Sequence, residues 1–246
     1  MKKYALLFAG CIEDKYNYKR YANDLAYMYN VLSQSEYELI KILYSDGSDI
    51  DYNGVSLRTA EGSLANFNQV ISDLQLSMQE EDQLFIMVSN HGNLFSNREA
   101  GINCWGNSYI TQSFFSKKLS IIKGTKVVVL GQCYGGNFLE ESIPNSVIIS
   151  ANVPDKVSFG SLYTEYDEFL YHFTSYYNGS YPDGKPLNNS KGQKDIYSAF
   201  EYARDNDYHY LHSTPYFDSN IQQQVVIHEE PQIKLNDTNA SEIYIT

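Results

Sequence analysis

Two runs of unbroken apolar residues, Phe85-Ile86-Met87-Val88 and Val127-Val128-Val129-Leu130, constrain this chain most. A strand with one wet face alternates apolar with polar residues. An unbroken run belongs to a strand covered on both faces, which is the habit of parallel sheets sandwiched by helices. The rest of the chain supplies the alternation such a fold needs. Residues 4–9 (YALLFA), 37–45 (YELIKILYS), 83–90, 125–131 and 146–151 read as strands. Between them Ala22, Leu25, Ala26, Tyr29 and Leu32 recur at helical spacing, as do Leu64, Phe67, Val70, Ile71 and Leu74. Residues 108–120, 164–177 and 194–206 read as further helices, and 222–230 (QQQVVIHEE) as an edge strand. The expected fold is α/β: a three-layer α-β-α sandwich around a mainly parallel sheet. One domain over residues 1–235 and a flexible tail at 236–246 are expected. Residues 178–193 are loop by their Gly, Pro, Asn and Ser content.

Composition narrows the function. The formal net charge is −12 and no basic run exceeds two residues, so a nucleic-acid partner is disfavoured. No apolar segment is long enough to span a bilayer, and no membrane partner is expected. The start MKKYALLFAGC imitates a lipoprotein signal, but its apolar run is short and reads better as the first buried strand. Cys11, Cys104 and Cys133 are odd in number and widely spaced, which is neither a disulfide framework nor a zinc spacing. Free thiols point to a reducing, cytoplasmic setting. His209 and His212 have no evident third ligand, so neither metal nor cofactor is implied.

In a parallel sheet, ligands are met outside the carboxyl ends of the strands. His91 ends the third expected strand and Cys133 the fourth, and glycine follows both: Gly92, and Gly135-Gly136 after Tyr134. A thiol beside an imidazole is a nucleophile with its general acid/base. The glycines let backbone amides approach a substrate, so the amides of Gly92 and Cys133 are candidates for an oxyanion hole.

FIMVSNHG (85–92) and VVVLGQCYGG (127–136) resemble the His and Cys blocks of caspase-like cysteine peptidases. That local pattern puts its His about 50 residues before the Cys; here the two lie 42 apart. The legumain family is the nearer resemblance. FAGCIEDKYNYKRYAND (8–24) is similar to its opening strand and Tyr-Asn-Tyr-Arg-His segment, and IISANVPDKVSFG (148–160) to its Ala-Asn-Pro stretch. The resemblance implies a cysteine endopeptidase with Cys133 as nucleophile, His91 as general acid/base and Asn17 orienting the histidine. Taken alone, Asn17 also suits a helix N-cap. Substrate-pocket residues carried over are Lys19, Gly131, Ser158 and Asp167. Gly131 stands where the family has glutamate, which implies a wider pocket floor. With Lys19 turned to solvent, Asp167 would favour a basic residue at the cleaved position. If Lys19 neutralised it, asparagine would fit. Partners implied are a peptide or protein substrate and an activating partner or self-cleavage, with residues 178–193 as the processing segment.

Two rivals remain at this level. Gly131-Gln132-Cys133-Tyr134-Gly135 also fits a nucleophile elbow of an α/β-hydrolase, with His209, His212 or His228 as the base. Only NFLEES separates Gly136 from Pro144, which is short for the elbow helix. The other rival is a caspase-like scaffold that binds without catalysis.

Overall fold

The two apolar runs lie side by side at the centre of a six-stranded sheet in the computed structural model, which describes residues 1–188, 194–218 and 222–246. In chain order the elements are β1 (Lys3–Ala9), α1 (Lys19–Leu32), β2 (Leu39–Tyr44), a hairpin of β3 (Ile50–Tyr52) and β4 (Val55–Leu57), and α2 (Leu64–Ser77). Then come β5 (Gln83–Val88), a meander of β6 (Gly92–Leu94), β7 (Ala100–Cys104) and β8 (Ser108–Thr111), α3 (Gln112–Leu119), β9 (Thr125–Leu130) and β10 (Ser146–Ser150). The chain closes with α4 (Glu168–Asn178), α5 (Ile196–Asn206), α6 (Tyr208–Leu211), a hairpin of β11 (Thr214–Asp218) and β12 (Gln223–Ile227), and β13 (Gln232–Asn236).

The main sheet runs β13-β10-β9-β5-β1-β2, parallel except for β13. Side chains alternate between its faces, and both faces are buried. Leu7, Phe85, Met87, Val127 and Val129 join one core with α1, α4 and α5. Leu6, Phe8, Ile86, Val128 and Leu130 join the other with α2 and α3. The three-layer sandwich follows from this double burial.

Three expectations change. Residues 108–111 are strand β8 rather than helix, because Ile110 is buried opposite Ile102 of β7. Thr111 then caps α3, its Oγ1 accepting from Phe114 N. Residues 222–230 supply a hairpin strand with β11, while β13 takes the sheet edge. The tail at 236–246 is packed, not flexible. Ile243 and Ile245 are buried, Ile196 N–H donates to the Ile243 carbonyl, and Tyr37 donates to the Ile245 carbonyl at 2.8 Å. The end of the expected processing segment, residues 189–193, lies outside the described residues.

Candidate active site

Register places the two candidate residues together. Val88 pairs with Leu130, so His91 and Cys133 are each the third residue past a paired position on adjacent parallel strands. Gly131 N–H donates to the Val88 carbonyl, extending the ladder by one bond. Beyond it the His91-Gly92 backbone closes on the Cys133 backbone. A methyl group at position 92 would overlap the Cys133 carbonyl oxygen. Gly92→Ala should therefore displace Cys133 and cost about 1–3 kcal/mol, the usual range for overpacking; thermal unfolding and the Cys133 alkylation rate check it.

His91 is held in a defined state. Its Nε2 lies 3.0 Å from the Tyr16 carbonyl oxygen, which can only accept. The proton therefore sits on Nε2, and Nδ1 is left as the base. The rings of Tyr16, Tyr18 and Tyr21 pack edge-on to the imidazole at 5.1–5.8 Å. Burial pulls the imidazole below its usual value. The hydrogen bond to Tyr16 opposes this, and the Arg20 charge adds to it. The turn that delivers Tyr16 bends through two successive left-handed residues, Cys11 (φ 60°) and Ile12 (φ 64°). Such strain needs support: Asn90 Oδ1 accepts from Cys11 N at 3.0 Å, and the Ile12 carbonyl accepts from Gly106 N.

Cys133 is half-buried, whereas Cys11 and Cys104 are fully enclosed. Its Sγ lies 3.5 Å from the Ser158 carbonyl oxygen. Burial pushes the thiol above its ordinary value and Asp167 adds to that. The Ser158 backbone, Arg20 and the residue's own amide pull the other way. The resting pair is thus a neutral thiol and a neutral imidazole, without a hydrogen bond between them.

The remaining expected residues are placed as follows. Asn17 neither caps α1, where Tyr18 is the N-cap, nor touches the imidazole. Its Oδ1 accepts from Tyr44 at 2.8 Å and its Nδ2 donates to Ser45 at 3.2 Å, so it pins the segment whose Tyr16 carbonyl holds His91. Lys19 points outward and pairs with the exposed Glu165. Arg20, which the sequence reading passed over, turns inward instead. Its guanidinium sits over the rings of Tyr18 and Tyr21 at 4.6 and 4.8 Å and donates to Tyr21 Oη at 3.1 Å. Its charge acts on Cys133, His91 and Asp167. An open pocket of about 250 Å³ lies against it, lined also by Tyr18, Lys19, Gly160 and the 161–166 turn.

Gly131 does not widen a pocket. Leu170 and Asp167 fill the space its side chain would take, with Asp167 Cγ 3.3 Å from that position. Asp167 is buried and caps α4, its Oδ1 accepting from Leu170 N at 3.1 Å. Burial pushes its carboxyl up to about 8, against the pull of the Leu170 amide and of Arg20. Ser158 supplies a carbonyl to Cys133 and its own hydroxyl to the Gln132 carbonyl at 3.4 Å. Among the described residues no group of three or more His, Cys, Asp or Glu is arranged to hold a metal.

The elbow reading fails on the segment after the thiol. Gly135–Glu140 is a 3₁₀ turn, not a full helix. His209 is fully buried and bonded to the Gly160 carbonyl. The sequence pattern of the peptidase C13 family matches residues 43–231, which include both His91 and Cys133. The chain belongs to the peptidase C13 family. Solved structures agree on the fold of this C13 chain. A protein from Geobacter sulfurreducens superposes with a TM-score of 0.63 at 10% identity, covering 97% of this chain and 95% of that one. Caspase-1 from Spodoptera frugiperda gives 0.58 at 14%, covering 95% and 86%. The Drosophila initiator caspase Dronc gives 0.55 at 9%, covering 96% and 80%. No curated protein matches the chain by sequence. Fold and family together make it a caspase-like cysteine peptidase, the class its motifs implied.

Proposed function

We propose that this C13 peptidase is an endopeptidase in which Cys133 attacks the peptide carbonyl and His91 moves the protons. The observation that carries this is the register match of the two residues at one sheet edge, with His91 Nδ1 left free as a base. The Sγ proton passes to Nδ1 as sulfur attacks. The amides of Gly92 and Cys133 would meet the oxyanion. His91 then gives its proton to the leaving amine, and water releases the acyl group by the reverse path. Pockets on two sides support an internal bond as substrate. One of about 260 Å³ borders Val157, Phe159 and His228, and one of about 430 Å³ borders Ile12, Tyr16 and Tyr109. An extended chain through both would lie along the 157–160 segment beside Cys133.

At the cleaved position the pocket wall carries the cation Arg20, and the buried Asp167 carboxyl, raised to about 8, lies outside that wall. That wall suits a polar uncharged side chain, because the guanidinium can donate to an amide oxygen. The basic preference drawn from the sequence required an unopposed Asp167, and Arg20 opposes it. A positional peptide library, with the Cys133→Ala protein as control, should give cleavage after asparagine within longer peptides. Cleavage confined to chain ends would remove the endopeptidase reading. A preference for aspartate would remove the pocket reading.

A further inference from the structure

Beneath the segment that meets Cys133 lies a set of buried polar side chains that the chemistry above leaves unused. Glu229, Asp207 and His209 are fully buried, and Asn152 nearly so. Glu229 Oε1 accepts from Phe159 N, and the Glu229 N–H donates to the His209 carbonyl. His209 Nε2 lies 3.1 Å from the Gly160 carbonyl, and its ring sits 5.5 Å from that of Phe159. Asn152 Nδ2 donates to the Val157 carbonyl at 2.7 Å, and its Oδ1 accepts from Glu230 N at 3.0 Å. Residues 157, 159 and 160 are thus each tied down from below. Between them Ser158 presents its carbonyl to Cys133.

The floor of this arrangement is a carboxyl pair. Asp207 caps α6, its Oδ1 accepting from His209 N and Tyr210 N at 2.8 and 3.0 Å. Its other oxygen and Glu229 Oε2 have no donor if both groups are ionised. A proton held by Glu229 supplies the missing bond. Buried polar groups left unpaired are costly, so the pair needs that proton. Burial raises the Glu229 carboxyl well above its usual value, and Asp207 and Asp167 add to the shift. The titratable groups facing the pair are His209 on α6, and Asp167 and Glu168 at the start of α4. Arg20 draws the Asp167 carboxyl down against its burial.

We propose that Glu229, paired with Asp207, is a positioning residue that holds the 157–160 backbone in the register a peptide substrate needs beside Cys133. This rests on the endopeptidase reading. A carboxyl whose folded value is raised contributes fully at low pH. Its contribution fades as pH climbs from the ordinary carboxylate range through the raised value. Two adjacent carboxylates then repel, and the segment loosens. Substrate binding should weaken on the alkaline side, with KM rising and kcat changing less.

The test compares wild type with Glu229→Gln and Glu229→Leu, by amide hydrogen exchange over residues 157–161 and by kcat and KM against pH. Glutamine keeps an acceptor for Phe159 and gives Asp207 a permanent donor; leucine gives neither. Glu229→Leu should speed exchange at 157–161 and raise KM, each by tenfold or more, with kcat falling less. Glu229→Gln should keep wild-type exchange and KM at low pH and lose the alkaline rise in KM. A folded Glu229→Leu protein with unchanged exchange and KM would overturn the proposal. So would a Glu229→Gln protein that behaves like leucine or keeps the alkaline rise. If Glu229→Leu does not fold, the glutamine pH profile decides alone. A wild type that cleaves no peptide would sink the peptidase reading only, since hydrogen exchange still judges the latch.

Discussion

Cys133→Ala should abolish peptide hydrolysis, a loss on the order of 10⁵–10⁶-fold where a nucleophile acts as a unit with its base. His91→Ala should lose about two to four powers of ten, since proton transfer to the leaving amine then falls to water. His209→Ala, His212→Ala and His228→Ala should keep the chemical step, because none of these rings reaches the thiol. The pH profile carries a second mark. The base must be neutral before attack, and burial holds the His91 imidazole below its usual value. Activity should therefore rise with pH on a limb below about 6.5 and be complete at neutrality. Iodoacetamide should label Cys133 first, because Cys11 and Cys104 are enclosed and their thiols are pushed to about 12. Turnover surviving in Cys133→Ala, or lost in His209→Ala with His91→Ala intact, would overturn the assignment.

The second large effect belongs to Arg20. Removing the cation that donates to a substrate amide costs about 1.5–3 kcal/mol, roughly ten-fold to 150-fold in kcat/KM. Arg20→Ala should lose that much on peptides with asparagine at the cleaved position. Lys19→Ala should change it less than about twofold, since an exposed ion pair contributes little. Asp167 adds a pH signature. As its proton leaves near pH 8, its negative charge offsets Arg20 from outside the pocket wall, and arginine-containing peptides should gain on asparagine-containing ones. Asp167→Asn should abolish that drift. Equal kinetics in wild type and Arg20→Ala, or a larger effect at Lys19, would show that the pocket is walled by other groups.

The contrast between Lys19 and Arg20 shows what local pattern can and cannot carry. Successive helix residues point about 100° apart, so one step along α1 turns Lys19 to Glu165 at the pocket rim and Arg20 onto the Tyr18 and Tyr21 rings. The buried stripe of α1 includes Tyr21, Asp24, Met28 and Val31. Arg20 lies one turn before Asp24 on that stripe. The apolar stripe read from the sequence is buried, with Leu25, Ala26 and Leu32 fully enclosed, and Asp24, a buried polar residue beside it, was the available signal for Arg20. Gly131 is similar. Its missing side chain is visible in the sequence, but only the packing of α4 reveals that Leu170 and Asp167 occupy the space. The tail looked frayed because it is short and polar. It is held by hydrogen bonds to Tyr37, Gln83 and Ile196, partners distant in sequence.

The parallel sheet, its helical cover and the placing of His91 and Cys133 at neighbouring strand ends were legible in the residues alone. Each of these depends on short-range pattern: unbroken apolar runs demand two covered faces, and a residue just past such a run must stand at the strand's carboxyl end. Long-range packing set which partners Lys19 and Arg20 take, what Asn17 holds, and how Asn152, His209 and Glu229 come to support residues 157–160. Those contacts join residues far apart in the chain, and their geometry depends on helix rotation and hairpin placement, which no local periodicity encodes.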